Sequence, residues 1–266
     1  MDQLKSYFGK IPQDVNQLIL YQTVPENLLA ACNGDPYLSH ICHLPEFREN
    51  YTAHWKDYIL DKYKDTPQKS LELASIIGSF PLISEILNIR NFRNPDLSNI
   101  LLGFFKGQHF DLLDDLFLEY PSLWDMRNYI AEISDINRMQ INFDVKSPAY
   151  RELLQTAIRL NNSIIVISLL DHIASMDYML REGEMARLLK SALFTAILRN
   201  NPGMLKLILE SSPMNKIYNN EKDPLLRFMY DVASSNKKSG LDLSPEIFQL
   251  LGDYIEGMAR YQKYGY

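Results

Sequence analysis

Read from end to end, the chain places its apolar residues three and four positions apart. A clear example is "LLQTAIRLNNSIIVISLLDHI", whereas alternating apolar and polar runs bounded by turn residues are scarce. The pattern predicts an all-α fold. Pro67, Pro81, Pro95, Pro121, Pro148, Pro202, Pro213, Pro224 and Pro245 punctuate it, so the helices are expected to be short, roughly 8–14 residues. Many short amphipathic helices in sequence predict stacked helical hairpins.

An internal repeat follows the same pattern. "LASIIGSFPLISEIL" (73–87), "GFFKGQHFDLLDDLF" (103–117), "TAIRLNNSIIVISLL" (156–170) and "TAILRNNPGMLKLIL" (195–209) align, starting from Ala74, Phe104, Ala157 and Ala196. A Gly, Gln or Asn sits four residues after each start, and an apolar doublet follows eight or nine residues after it. Small residues let neighbouring helices approach, while Gly78, Asn161 and Asn200 suit a left-handed turn position. The second segment aligns least well, with Phe104 in place of the small residue and Gln108 in place of the glycine.

These segments resemble ankyrin repeats, most clearly over 195–209. The threonine-proline-leucine-histidine opening of a standard repeat is absent, with "DPLL" at 223–226 as its only echo. The resemblance therefore implies a degenerate ankyrin-type solenoid with its β-hairpin fingers missing or remodelled.

The front of the chain has a different rhythm. Pro12 and Asp14 suit a helix start, and Val15, Leu18 and Ile19 form one apolar stripe. Pro25 restarts a second helix carrying Leu28, Leu29 and Cys32, and Tyr37, Leu38, Ile41 and Cys42 follow the break "NGDP". Ile11-Pro12, Pro25 with Leu28-Leu29, the third stripe and Glu46-Phe47 resemble an F-box over about 11–63, ending in "WKDYILDKY". An F-box-like start before degenerate ankyrin-type repeats resembles the large families of such proteins in giant DNA viruses.

The resemblance implies two domains, an F-box-like domain over 1–66 and a helical repeat domain over 67–266, meeting where "KDTPQKS" breaks the apolar pattern. It also implies a function: an adaptor whose F-box helices bind a Skp1-like subunit of a cullin ubiquitin ligase while the repeats hold an unnamed client. Ile11, Pro12, Val15, Leu18, Ile19, Pro25, Leu28 and Leu29 are the expected partner-binding residues. The alternative is a structural or scaffolding interaction protein, such as a virion component, that recruits no ligase.

Composition narrows the field. Among 266 residues, 46% are hydrophobic, enough for a sizeable core, and 27 basic against 33 acidic residues give a net charge of −6. Without a basic block, nucleic acid is not an expected partner. The N-terminus lacks an apolar core of signal-peptide length, and no window of about 18 apolar residues occurs, so no membrane association and a cytoplasmic location are expected.

Candidate chemistry is thin. Cys32 and Cys42 are separated by a turn and a helix start, so they are expected to be unpaired core residues in a reducing compartment. "CNGDPYLSHICH" has poor zinc spacing, which leaves His40 and His43 as expected surface histidines. Asp111, Asp114, Asp115 and Glu119 read as a solvated helix face. Phosphate loops, metalloprotease helices and the nucleophile elbow are absent, so no enzyme, cofactor or metal is expected. Trp55 and Trp124 are expected in packed positions, and the tail "MARYQKYGY" as a frayed terminus or a docking segment.

Overall fold

The computed structural model describes residues 8, 11–89, 95–120, 122–134, 144–176, 180, 183–217 and 219–264, with side chains except at 219–221 and 258–264. It is all-α, and no β-strand occurs among the described residues. The chain forms two compact units, Met1–Asp144 and Val145–Tyr266. The division expected at 66/67 is thus replaced by one at 144/145. "KDTPQKS" supplies a helix start rather than a linker, because the helices on either side of it pack together.

Unit 1 opens with α1 (Gln13–Tyr21), α2 (Pro25–Gly34), α3 (Pro36–His43) and α4 (Pro45–Lys62), then α5 (Pro67–Ile77), α6 (Phe80–Leu87), α7 (Leu97–Lys106), α8 (Phe110–Glu119) and α9 (Leu123–Ile133). Proline at the first helical position starts α2, α3, α4 and α5, where its missing N–H costs nothing. Helix α1 rests on α4, α2 on α3 and α5, and α4 on α5 and α6, while α5 packs along α7.

Unit 2 contains α10 (Pro148–Arg159), α11 (Ser163–Ser175), α12 (Glu184–Leu198), α13 (Pro202–Leu209), α14 (Ser212–Lys216), α15 (Asn219–Lys238) and α16 (Pro245–Tyr264). Here α10, α12 and α15 pack in one row, with α11, α13 and α16 in a second. The "DPLL" segment opens no new repeat, because Pro224 lies inside α15. The side chains of 258–264, most of the "MARYQKYGY" tail, lie outside the described residues.

The aligned segments share one turn geometry. Gly78 (φ 79°), Gln108 (φ 59°), Asn161 (φ 57°) and Asn200 (φ 50°) are all left-handed. In each case the next residue's N–H closes the helix end on the carbonyl five residues back: Ser79 to Ala74 at 3.1 Å, His109 to Phe104 at 2.9 Å, and Asn162 to Ala157 and Asn201 to Ala196 at 3.0 Å. The same residue then caps the following helix in three of the four hairpins, through Ser79 Oγ, Asn162 Oδ1 and Asn201 Oδ1. Gly240 (φ 93°) repeats the helix-end bond between α15 and α16, with Leu241 N–H donating to Asn236 O at 3.0 Å.

Side chains link successive turns. Asn201 Nδ2 donates to Asn161 Oδ1 at 2.8 Å, and Asn200 Nδ2 donates to Asp242 O at 3.1 Å while its Oδ1 accepts from Ser244 N–H at 2.7 Å. In unit 1 the link is His109, whose Nε2–H donates to Ile76 O at 2.7 Å. That ring lies so close over Gly78 that a Cβ there would stand 2.8 Å from Nε2. The asparagines and the histidine hold neighbouring hairpins in register as well as turning the chain.

Candidate partner-binding surface

Helix α1 turns its apolar stripe outward. Val15 is 41% exposed, Leu18 60% and Ile19 42%, while the face against the protein carries Leu20 and the fully buried Asn16. Burying a polar amide in place of three apolar side chains inverts the usual arrangement of a surface helix. Asn16 is held locally: its Nδ2 donates to Phe8 O at 2.9 Å and to Ile11 O at 3.1 Å.

An aromatic ladder on α4 fixes this orientation. Phe47, Tyr51, Trp55 and Tyr58 follow one another with ring centroids 5.5, 6.4 and 5.1 Å apart, and Tyr21 of α1 stacks on Phe47 at 5.2 Å. Tyr51 OH donates to Thr23 O at 2.6 Å and Trp55 Nε1–H to Tyr21 O at 3.0 Å, so the end of α1 and the turn that follows it are tied to α4 through backbone carbonyls. Burial, reinforced by the nearby Glu26 charge, pushes the Tyr51 phenol far above its ordinary pKa and keeps it a donor.

The start of α2 is fixed to the end of α4 by a second cluster. Glu26 Oε1 accepts from Lys62 Nζ at 2.8 Å, from Tyr58 OH at 3.3 Å and from Tyr63 OH. Burial works to raise the Glu26 pKa, but the hydrogen bonds from Lys62 and Tyr63 outweigh it and hold the carboxylate at about 2.

The expected partner-binding set therefore divides. Val15, Leu18 and Ile19 lie together on the exposed face of α1, with Pro12 exposed at its N-cap and Ile11 half-buried before it. Leu29 is half-buried, and Pro25 and Leu28 belong to the core. Leu28 points inward because α2 is enclosed by α3 and α5. The sequence marks all of them as apolar and cannot tell a covered stripe from an open one.

Two further expectations are corrected. Cys32 and Cys42 form a disulfide, with Cα atoms 6.1 Å apart. Only Asp35 separates α2 from α3, so the chain reverses abruptly and brings the two thiols together. Trp124 is exposed rather than packed, under the guanidinium of Arg127 5.1 Å from its ring centroid, whereas Trp55 is packed as expected.

His40 is exposed, but His43 is half-buried with Nδ1 2.5 Å from Ser39 O and Nε2 3.2 Å from Gly107 O. No group of three or more metal-ligating side chains gathers among the described residues. Asp111, Asp114, Asp115 and Glu119 all lie exposed on α8. No helix among the described residues is long and apolar enough to cross a membrane. The aromatic ladder was missed as a unit, although Phe47, Tyr51, Trp55 and Tyr58 at spacings of four, four and three carry the signal on one helical face.

In unit 2 a groove of about 460 Å³ is lined by the apolar Phe194, Leu198 and Leu241 and by Arg159 and Arg199. Compared with protein-family models, with curated proteins and with solved structures, the chain matches none of them.

Proposed function

We propose that this chain is a non-enzymatic interaction adaptor, an F-box-like receptor that binds a Skp1-like subunit of a cullin ubiquitin ligase through α1 and holds a client on its repeat hairpins. The observation that carries the reading is the outward apolar stripe Val15, Leu18 and Ile19, set on a helix whose other face is anchored to α4. Three adjacent apolar side chains on a held helix offer a partner a preorganised contact. The repeated left-handed turns after Ala74, Ala157 and Ala196 support the resemblance to ankyrin-type hairpins.

The test is a pull-down of purified Skp1 with the wild type and with Leu18→Asp. The wild type should bind, and the variant should lose about 2 kcal/mol or more of binding free energy while keeping the wild-type melting curve, because the site is open to water in the free chain. Absence of wild-type binding at micromolar concentrations overturns the adaptor reading.

A second reading rests on the Cys32–Cys42 disulfide. Such bonds persist in oxidising surroundings and are rare where thiols are kept reduced, which favours a structural or scaffolding protein that recruits no ligase. Alkylation of the chain inside its producing cells, before lysis, separates the two: free thiols there support the adaptor, and a retained disulfide with no Skp1 binding supports the scaffold.

A further inference from the structure

We propose that the chain self-associates head to tail, with helix α8 of one copy seated in the unit 2 groove of another copy. Asp111, Asp114, Asp115 and Leu118 follow the i, i+3, i+4, i+7 spacing that puts residues on one helical face, and all four are exposed. Leu118 is 76% exposed, more than any other large apolar side chain among the described residues.

Little within the same copy balances this face. Asp111 has Arg48 Nη2 at 3.6 Å, but Asp114 and Asp115 form no ion pair among the described residues. Like charges three and four positions apart repel one another along a helix, and α8 has no basic residue in its last turn to offset them. Cations brought by a second molecule relieve that repulsion.

The unit 2 groove supplies the complement. Phe194 and Leu198, one turn apart on α12, are 40% and 43% exposed, and Leu241, between α15 and α16, is 41% exposed. Arg159 and Arg199 line the same groove, and neither forms an ion pair among the described residues; Arg159 Nη2 donates to Thr156 Oγ1 at 2.6 Å. Their places at the ends of α10 and α12 suit the helix dipoles, which accounts for the charges and not for the open apolar side chains beside them. All five side chains are exposed, so an occupant reaches them without rearrangement.

The two surfaces match in kind. An apolar knob with two unpaired carboxylates meets an apolar groove with two unpaired guanidiniums, a pairing that fixes register as well as attracting. The charge distribution agrees, because the net charge of −6 arises wholly in unit 1 whereas basic residues outnumber acidic ones in unit 2. Since the two faces differ, the contact is heterologous, and assembly either grows or closes into a ring. One helix face in one groove is smaller than a standard interface, so the association is weak, with a Kd of about 10–100 micromolar. It uses no residue of α1 and stands whether or not the adaptor reading holds.

Sedimentation velocity of the full chain from about 5 to 500 micromolar tests the assignment. In about 0.05 M salt the mean sedimentation coefficient should rise with concentration, and in about 0.5 M salt that rise should shrink severalfold. Arg159→Glu with Arg199→Glu closes the groove, and Leu118→Asp closes α8, so each variant alone should stay monomeric. Mixed in equal amounts they retain one intact groove and one intact α8 between them, and should form a dimer and nothing larger. All three positions are exposed, so circular-dichroism melts should match the wild type. If Leu118→Asp does not fold, Asp114→Asn with Asp115→Asn takes its place. A wild type that stays monomeric, a folded variant that associates like the wild type, a rise unaffected by salt, or a mixture that stays monomeric or grows past a dimer would each overturn the proposal.

Discussion

Glycine to alanine inside a helix ordinarily stabilises it by about 1 kcal/mol, but at Gly103 the sign should reverse. Gly103 lies in α7 where that helix crosses α5, and a methyl group built on it would stand 2.3 Å from Ser75 Cβ and 3.3 Å from both Glu72 O and Ser75 C. Carbon atoms in ordinary contact stand about 3.5–4.0 Å apart, so the two helices must separate by roughly 1 Å. Backbone atoms form part of the obstacle, and no side-chain rotation clears them.

The buried Leu71, Ala74, Ile100 and Phe104 sit on these two helices, and a gap of that size forfeits about a quarter to a half of the dispersion energy between facing atoms. Overpacking of this kind costs about 1–3 kcal/mol, and more when backbone must move. After subtracting the helix-propensity gain, Gly103→Ala should destabilise unit 1 by about 1–2 kcal/mol. Both tryptophans of the chain, Trp55 and Trp124, lie in unit 1, so a urea melt followed by their fluorescence reads this unit selectively. The midpoint should fall without a change in slope. Gly252→Ala in α16 is the control: a Cβ there meets nothing within 4 Å, and the variant should gain about 0.5–1 kcal/mol by circular dichroism. A Gly103→Ala midpoint that rises would refute the close crossing of α5 and α7.

Leu28→Asp, unlike Leu18→Asp, should unfold the first helices, with a loss of more than about 3 kcal/mol seen in the same melt, because Leu28 is 4% exposed. Replacing both cysteines by serine should cost about 2–3 kcal/mol for a cross-link spanning 10 positions, and alkylating the unfolded, unreduced wild type should label neither thiol. Two acid titrations should separate. Burial lowers His109 from 6.5 to about 4 against the opposing pull of its bond to Ile76 O, so its contribution is complete above pH 6.5 and is lost as pH falls towards 4. Glu26, held at about 2 instead of 4.5, contributes above pH 4.5 and loses that contribution as pH falls through 2. His109→Gln should flatten the first window and Glu26→Gln the second in melts taken from pH 8 to 2.

Local rules made some features of this protein legible in the chain itself. The 3.6-residue period dictates helices and the prolines mark many of their starts, since proline fixes φ and lacks an N–H that the first turn does not use. Pro224 is instead carried inside α15, and α4, α15 and α16 run to 18, 20 and 20 residues, beyond the expected 8–14. The turn positions Gly78, Asn161 and Asn200 could be read because the left-handed backbone admits few residue types, and Gln108 shows that the helix-end bond can impose that conformation on another. The same alignment looks for a small residue at Phe104, yet close approach in that hairpin comes from Gly103, one position earlier.

What only the tertiary structure decided is what covers each apolar stripe. Leu18 and Leu28 are the same residue type on two amphipathic helices, but among the described residues α1 rests on α4 with Leu18 exposed, whereas α2 packs against α3 and α5 with Leu28 buried. Periodicity records which side chains share a face and carries no information about what that face meets. The disulfide depended likewise on the one-residue reversal at Asp35. The burial of Arg48 and Thr52 arises because α4 lies against α5 and α6, a long-range packing that no local pattern encodes.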